Sequence, residues 1–539
     1  MTKQVLLVAG VVVALAGSAR AQQPCEALAS LRLPTVTITS AVAVPPAPFA
    51  GPAGPAAPQR SLVVPGRCDL RGVIRPTTDS EIKFALWMPA AGWNGKYRQE
   101  GNGGWAGTIN LAALIEPLSR GYAVAATDNG HEGGGALWAI GHPEKLIDFG
   151  HRAVHETSVQ AKALVSAFYG RGPERSYFNG CSDGGREALM EAQRYPEDFN
   201  GIIAGAPASD WSHLFTAFVW NERALLATPG SSIPPAKLPA IQRAVVASCD
   251  ATDGLADGLI EDPRACRFDP GVLACKAADG ADCLTAPQVD TLRKIYAGPR
   301  NPRTMEQIYP GQPPGTEALA GGWAAWITPA NPAASIQSGF GNSYYSAAVF
   351  EDPKWDFRSL DFDRDVTFGD AKAGTILNAN SPDLRSFRAA GGKLIQYHGW
   401  GDAAIPATSS IEYYESVRAF LAKYPDGRTT GPRPLEDFYR LFMVPAMGHC
   451  GGGAGPNRFG NGGSARPGDP EHDIFAALER WVEQGVAPTQ LIGTGTTAAT
   501  PPAALTRPLC PYPQAARYRE AGDPTDAASF SCVLPAAAR

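Results

Sequence analysis

The sequence predicts an α/β protein, a mostly parallel sheet covered by helices and interrupted by a large insertion. Three observations predict it. Short β-rich runs alternate with helix-spaced runs up to about residue 207, and the alternation resumes after about 370. A Gly-bounded corner, Gly180-Cys181-Ser182-Asp183-Gly184, joins a strand (Ser176 to Asn179) to a helix running to about Tyr195. Between Ala208 and Asp370 the alternation fades, Pro and Gly rise, and Trp211, Trp220, Trp323 and Trp326 gather with four cysteines. That segment is too long for a loop of a compact domain and reads as an inserted domain.

Composition narrows the class further. The 539 residues exceed one simple core. Apolar and charged fractions of 44% and 18% belong to a folded globular chain, not a disordered one. A net charge of -5, spread along the chain, leaves no basic stripe, so nucleic acid is not an expected partner.

Residues 1–21 carry Lys3, the short apolar run Val5 to Ala16, and Ala19-Arg20-Ala21. They read as a secretory signal cleaved before Gln22, which implies export to the periplasm or medium. No later run reaches the roughly 18 apolar residues of a membrane span. In an oxidising compartment the ten cysteines read as disulfides. None shows C-x-x-C spacing, so a zinc or thioredoxin-type centre has no support.

Taken in order, 22–207 forms the first part of the core. Ala41 to Pro58 is Pro/Ala-rich and reads as irregular surface chain. Glu81 to Pro89, Lys96 to Glu100 and Tyr122 to Thr127 read as strands, Val154 to Tyr169 as a helix, and Gly201 to Ala204 as a strand. Residues 208–370 are the insertion. In 371–539 the core resumes: Ser381 to Ala390 helix, Lys393 to Tyr397 strand, Ser409 to Tyr424 helix, Phe438 to Val444 strand, His472 to Gln484 helix. No internal repeat is present.

The corner matches G-x-S-x-G, in which a strained strand-to-helix turn lifts a serine hydroxyl out of the sheet. A serine nucleophile needs a base, and the base needs an acid to hold its tautomer. On this architecture the order is Ser, acid, His. His449 leaves a strand into a Gly-containing loop, whereas His472 opens a helix. Asp402 occupies the first loop after the strand Lys393 to Tyr397, with His398 there as a structural hydrogen-bonding residue. The expected triad is Ser182, Asp402 and His449. Cys181 precedes the serine and Cys450 follows the histidine, so a Cys181–Cys450 bridge is compatible with the proximity the triad demands. Gly101 to Gly107 follows a strand, and its glycines let backbone N–H groups approach a ligand as an oxyanion hole requires.

In the insertion, Asp250, Asp253 and Asp257 stand with Gly254 and Gly258 in one short loop. These are hard oxygen donors of the kind calcium takes. The spacing is not that of an EF-hand, and on spacing alone a polar turn fits equally. Cys249 and Cys266 could close a small loop around it.

Together GNGGWAG (101–107), NGCSDGG (179–185), RYPEDFNGIIAGAP (194–207), CDATDGLADGL (249–259), HGWGD (398–402) and GHC (448–450) resemble the tannase and feruloyl esterase family. The resemblance implies an α/β-hydrolase core with a large inserted lid. It carries over the triad, and an oxyanion hole of the backbone N–H groups of Asp183 and Gly103 or Gly104. It implies lid calcium held by Asp250, Asp253, the Leu255 carbonyl, Asp257 and the Leu259 carbonyl. It also implies the bridges Cys25–Cys68, Cys181–Cys450, Cys249–Cys266, Cys275–Cys283 and Cys510–Cys532. Substrate residues do not transfer as directly. The candidates are Trp211, Trp323, Trp326, Tyr344, Tyr345 and Ile405. The expected function is hydrolysis of a small aromatic acid ester, feruloyl type first, with galloyl esters and mono(2-hydroxyethyl) terephthalate as alternatives. The reading from another class is a non-catalytic calcium-dependent binding protein.

Overall fold

The computed structural model describes residues 22–49, 63–424, 434–463, 466–497 and 501–534. The expected signal segment, and residues 50–58 of the Pro/Ala-rich run, lie outside them.

Among the described residues nine strands form the main sheet: β1 (Val36–Val44), β2 (Arg67–Ile74), β3 (Ile82–Pro89), β4 (Lys96–Glu100), β5 (Ala123–Thr127), β6 (Arg175–Cys181), β7 (Gly201–Gly205), β8 (Lys393–Gly399) and β9 (Tyr439–Val444). Their order is β1-β2-β3-β5-β4-β6-β7-β8-β9. The pairs from β1 to β5 are antiparallel, and those from β5 onward are parallel. This is a mixed sheet with a parallel working half, as an α/β fold requires.

Helices α1 (Ala153–Tyr169), α2 (Asp183–Arg194), α3 (Trp211–Leu225), α4 (Leu238–Cys249), α5 (Ala286–Ala297), α6 (Ile336–Ser343), α7 (Thr408–Lys423) and α8 (Ile474–Gln484) are the longer ones. The β5 and β7 strands are buried along their whole length because both faces of the sheet are covered. One core cluster joins Leu164, Phe168 and Leu189 to the sheet, and another packs Leu478 and Trp481 of α8 beneath Tyr177 and Ile395.

Three expectations are corrected. Ala41 to Val44 is not irregular: it completes β1, pairing with Arg67 to Leu70. The alternation in Val36–Val44 decides this, since a strand edge tolerates Ala and Pro nearby. Residues 381–384 are not helical, and the helix there spans only Arg385–Ala389. His398 lies on β8 itself rather than in the following loop.

No strand of the main sheet falls between Gly205 and Lys393. Two clusters built largely from this stretch fill the space, one around Trp211, Phe215 and Tyr344, the other around Ile241, Leu292 and Trp323. The two ends of the expected insertion are clipped together: His213 Nε2 lies 2.9 Å from Asp370 Oδ2, and Ser212 Oγ donates to Asp370 Oδ1 at 2.5 Å.

The chain ends in structure the sequence did not announce. Strands β10 (Gly455–Arg458), β11 (Leu491–Thr496) and β12 (Ala504–Leu509) form a second sheet, and β13 (Ala515–Tyr518) pairs with β14 (Phe530–Val533). All ten cysteines are bridged, in the five pairs the resemblance implies. No helix among the described residues is long and apolar enough to cross a membrane.

Candidate active site

Register puts the site at one end of the sheet. Cys181 is level with Gly205 and Gly205 with Tyr397, while Gly399 pairs with Val444. Ser182, Asp402 and His449 follow β6, β8 and β9, so all three emerge at the carboxyl ends of parallel strands, where open α/β sheets place ligands.

Ser182 sits at the corner with φ +66° and ψ −120°, a backbone conformation L-residues rarely adopt. Its N–H donates to Gly205 O at 3.0 Å, and its carbonyl accepts from Arg186 N at 3.0 Å. Glycine is required around it for contact reasons. A Cβ on Gly180 would meet Gly184 O at 2.3 Å, and one on Gly185 would meet Gly205 O at 2.3 Å.

A hydrogen-bond relay joins the three residues. His449 Nε2 is 2.9 Å from Ser182 Oγ, and His449 Nδ1 is 2.8 Å from Asp402 Oδ2. Because Asp402 only accepts, Nδ1 carries the proton and Nε2 is left to accept from the serine hydroxyl. Asp402 Oδ1 accepts from the N–H groups of Ala404 (2.8 Å) and Ile405 (2.9 Å). Burial opposes ionisation of Asp402, but the His449 and His398 imidazoles outweigh it and hold the carboxyl well below the usual range.

His398 is fully buried and steadies the acid. Its Nε2 faces two acceptors, Asp402 Oδ2 at 3.2 Å and Ile405 O at 3.1 Å, so Nε2 carries the proton. Its Nδ1 then accepts from Ser410 Oγ (2.7 Å), which itself accepts from Gln396 Nε2 (2.6 Å). This chain fixes the orientation of the imidazole behind Asp402. His472, by contrast, precedes α8 and lies 2.8 Å from Asp469 Oδ2.

The glycine loop is tied to the first turn of α2. Gly184 N donates to Asn102 O at 2.9 Å, and Asn102 N donates to Glu187 Oε2 at 3.0 Å. A Cβ on Gly101 would lie 2.8 Å from both Glu187 Oε2 and Gly184 Cα, so the loop can press on the helix only without a side chain there. Gly103 and Gly104 follow on that loop. Asp183 opens α2, where a first-turn N–H has no partner within the helix. Burial, then the nearby Asp183 charge, push the Glu187 carboxyl up to about 8. Asp183 itself is fully buried, its Oδ1 taken by Arg186 Nε at 2.6 Å. Arg186, Glu187 and Gln396 carry no sequence signal as supports: Arg186 also donates to Gly150 O at 2.6 Å, and Glu187 and Gln396 act through residues outside their own elements.

The candidate substrate residues separate clearly. The Trp326 ring is 5.3 Å from the His449 ring, edge to face, and stacks at 6.1 Å on Phe340. Phe340 comes so near the glycine loop that a Cβ on Gly104 would meet its ring at 2.8 Å. No sequence signal marks Phe340, since an aromatic in α6 has no distinguishing spacing. Ile405 lies beside the acid and is 2% exposed. Trp211, Trp323, Tyr344 and Tyr345 are 0–1% exposed and packed in the clusters of the insertion.

The aspartate loop has donors suited in kind to calcium. Asp250 Oδ1 is buried with no hydrogen-bond partner, and no hydrogen bond among the described residues reaches the Leu255 or Leu259 carbonyl. Burial pushes Asp253 up to about 6, and the charges of Asp257 and Asp250 add to it. Asp257 Oδ2 is held by Arg507 Nη2 at 2.5 Å, so closing three carboxylates on one cation requires that pair to open or share. Leu259 packs against Ala446, three residues before His449, and Leu255 against the β13–β14 pair.

Known proteins agree with this architecture. The sequence model described as tannase and feruloyl esterase matches residues 68–533. An uncharacterized esterase of Xanthomonas campestris pv. campestris is 44% identical over 96% of this chain and 93% of its own length. Mono(2-hydroxyethyl) terephthalate hydrolase of Piscinibacter sakaiensis is 33% identical over 88% of this chain and 86% of its own length. The crystal structure of feruloyl esterase B from Aspergillus oryzae superposes with a TM-score of 0.83, at 28% identity, covering 94% of this chain and 99% of that one. The chain belongs to the tannase and feruloyl esterase family and is a carboxylic ester hydrolase.

Proposed function

We propose that this chain is an exported serine esterase that cleaves esters of small aromatic acids, feruloyl esters first, with Ser182, His449 and Asp402 as its triad. The observation that carries the reading is the Ser182–His449–Asp402 relay beside the Trp326 ring.

In the reaction, His449 Nε2 takes the Ser182 proton as Oγ attacks the ester carbonyl carbon. The tetrahedral oxyanion is stabilised by the N–H groups of Asp183 and of Gly103 or Gly104. His449 returns the proton to the departing alcohol, leaving an acyl-enzyme. Water then attacks with His449 again as base and releases the acid. Asp402 holds the tautomer and offsets the imidazolium charge. Trp326 and Phe340 supply a flat apolar wall for an aromatic acyl group.

Residues 208–370 act as a lid in this reading. Calcium bound by Asp250, Asp253, Asp257 and the Leu255 and Leu259 carbonyls would neutralise the carboxylates of its loop. The five disulfides support export. The test is an activity panel of methyl ferulate, methyl gallate and mono(2-hydroxyethyl) terephthalate, in wild type and Ser182→Ala. Methyl ferulate turnover that depends on Ser182 supports the reading. A Ser182-dependent preference for another of the three would reassign the substrate while leaving the mechanism.

A further inference from the structure

A second polar cluster lies at the far end of α2, outside the machinery described above. Glu191 is eight residues along α2 from Asp183, about 12 Å at 1.5 Å per residue. It is 1% exposed, and neither carboxylate oxygen has a hydrogen-bond partner. A donor atom of His155, from α1, and one of Asp198, from the loop before β7, complete the group. The three donor atoms lie within 4.8 Å of one another. An unpartnered, buried carboxylate is costly unless a cation or a proton meets it.

We propose that His155, Glu191 and Asp198 form a binding site for a late first-row divalent metal ion of the zinc class, pinning α1, α2 and the loop before β7 together.

The donor set argues for this class. One imidazole and two carboxylates suit zinc and its neighbours, whereas calcium prefers an all-oxygen shell. Tetrahedral bonds of about 2.0–2.2 Å bring donors closer than 4.8 Å, which side-chain adjustment can supply. His155 is already oriented. Its ring stacks on Tyr195 at 3.9 Å, and its Nδ1 lies 2.6 Å from Asp198 Oδ2. Tyr195 is in turn held by His151 Nδ1, 2.8 Å from its hydroxyl.

Neither neighbouring cation donates a hydrogen bond to Glu191. Lys162 donates to the Asp198 main-chain oxygen and lies 3.8 Å from Asp198 Oδ1, while Arg194 donates to Thr375 O at 2.7 Å. A surface cleft of about 570 Å³, lined by His155, Tyr195 and Asp198, gives the ion a way in. Three protein donors leave a coordination position for water on that side.

The test is equilibrium dialysis of the chelator-stripped full chain against Zn²⁺, with Ca²⁺ kept saturating, followed by thermal melting. The expected result is one tightly bound equivalent of Zn²⁺ that raises Tm. His155→Asn, at a half-buried position, and Asp198→Asn should each weaken binding by about a hundredfold or more, as loss of a direct ligand exceeds the 10–100-fold typical of outer partners. His142→Asn, at a surface histidine beside Asp79, should leave it unchanged. Absence of a tight equivalent, or equal binding by well-folded His155→Asn, would overturn the proposal. So would a proton shared between Glu191 and Asp198 in a Zn²⁺-soaked crystal.

Discussion

Cys181 and Cys450 are bridged, with Cα atoms 6.0 Å apart, and each is the chain neighbour of a relay residue, Ser182 or His449. The bond therefore fixes the elbow strand to the histidine loop at the point where Ser182 Oγ and His449 Nε2 lie 2.9 Å apart. Cys450 also takes φ +62°, so the bridge holds a turn that L-residues rarely adopt.

Replacing both cysteines, Cys181→Ala with Cys450→Ala, should cost about 2–5 kcal/mol of stability. It should also lower kcat, because the base is then held only by its own loop. Denaturant unfolding and kinetics on methyl ferulate measure the two effects separately.

Asp402→Asn should leave the fold largely intact and lower kcat by about 10⁴, since the amide no longer holds the productive tautomer of His449. Steady-state kinetics at saturating ester is the check. A small loss would show that His449 is oriented by something other than Asp402.

The two tryptophans should part company. Trp326→Ala should reduce kcat/KM for aromatic esters by about tenfold, the scale of one lost ring contact of ~1.4 kcal/mol, with little change for an acetyl ester. Trp323→Ala, in the core of the insertion, should cost about 3–5 kcal/mol of stability without changing the preference. Equal effects of the two on the aromatic-to-acetyl ratio would contradict this assignment.

The relay was legible in the sequence because each member follows a strand and two carry cysteine neighbours. Trp326 and Trp323 were not separable there, because both are tryptophans in the same four-residue turn and only packing tells them apart. Phe340, Glu187 and the Gln396–Ser410–His398 chain depend on contacts across long separations, which no local pattern encodes. Likewise β10 to β14 are short strands among glycines and prolines, where alternation is too brief to register.

His213 gives a pH signature. Burial disfavours its charge, but Asp210 and Asp370 outweigh that and raise it to about 10. A histidine raised above its unfolded value of about 6.5 contributes stability that is fully present below that pH and lost as pH rises through about 10. Wild type should lose Tm across that interval relative to His213→Asn. Parallel Tm–pH profiles would show that the clip between the ends of the insertion carries no such linkage.

Chelation should lower Tm through the aspartate loop, whose Leu259 packs beneath the histidine loop, while Ser182 stays reactive. Calorimetry before and after verified calcium removal tests this. An unchanged melting curve would count against a structural ion.

The central claim is that Ser182 is the nucleophile, and fluorophosphonate labelling tests it most directly. The account predicts one label per chain, located on Ser182 by peptide mapping, and an unlabelled Ser182→Ala variant whose ester turnover falls by about 10⁴ or more. Well-folded wild type that takes no label, or a Ser182→Ala variant with near-normal turnover, would contradict it.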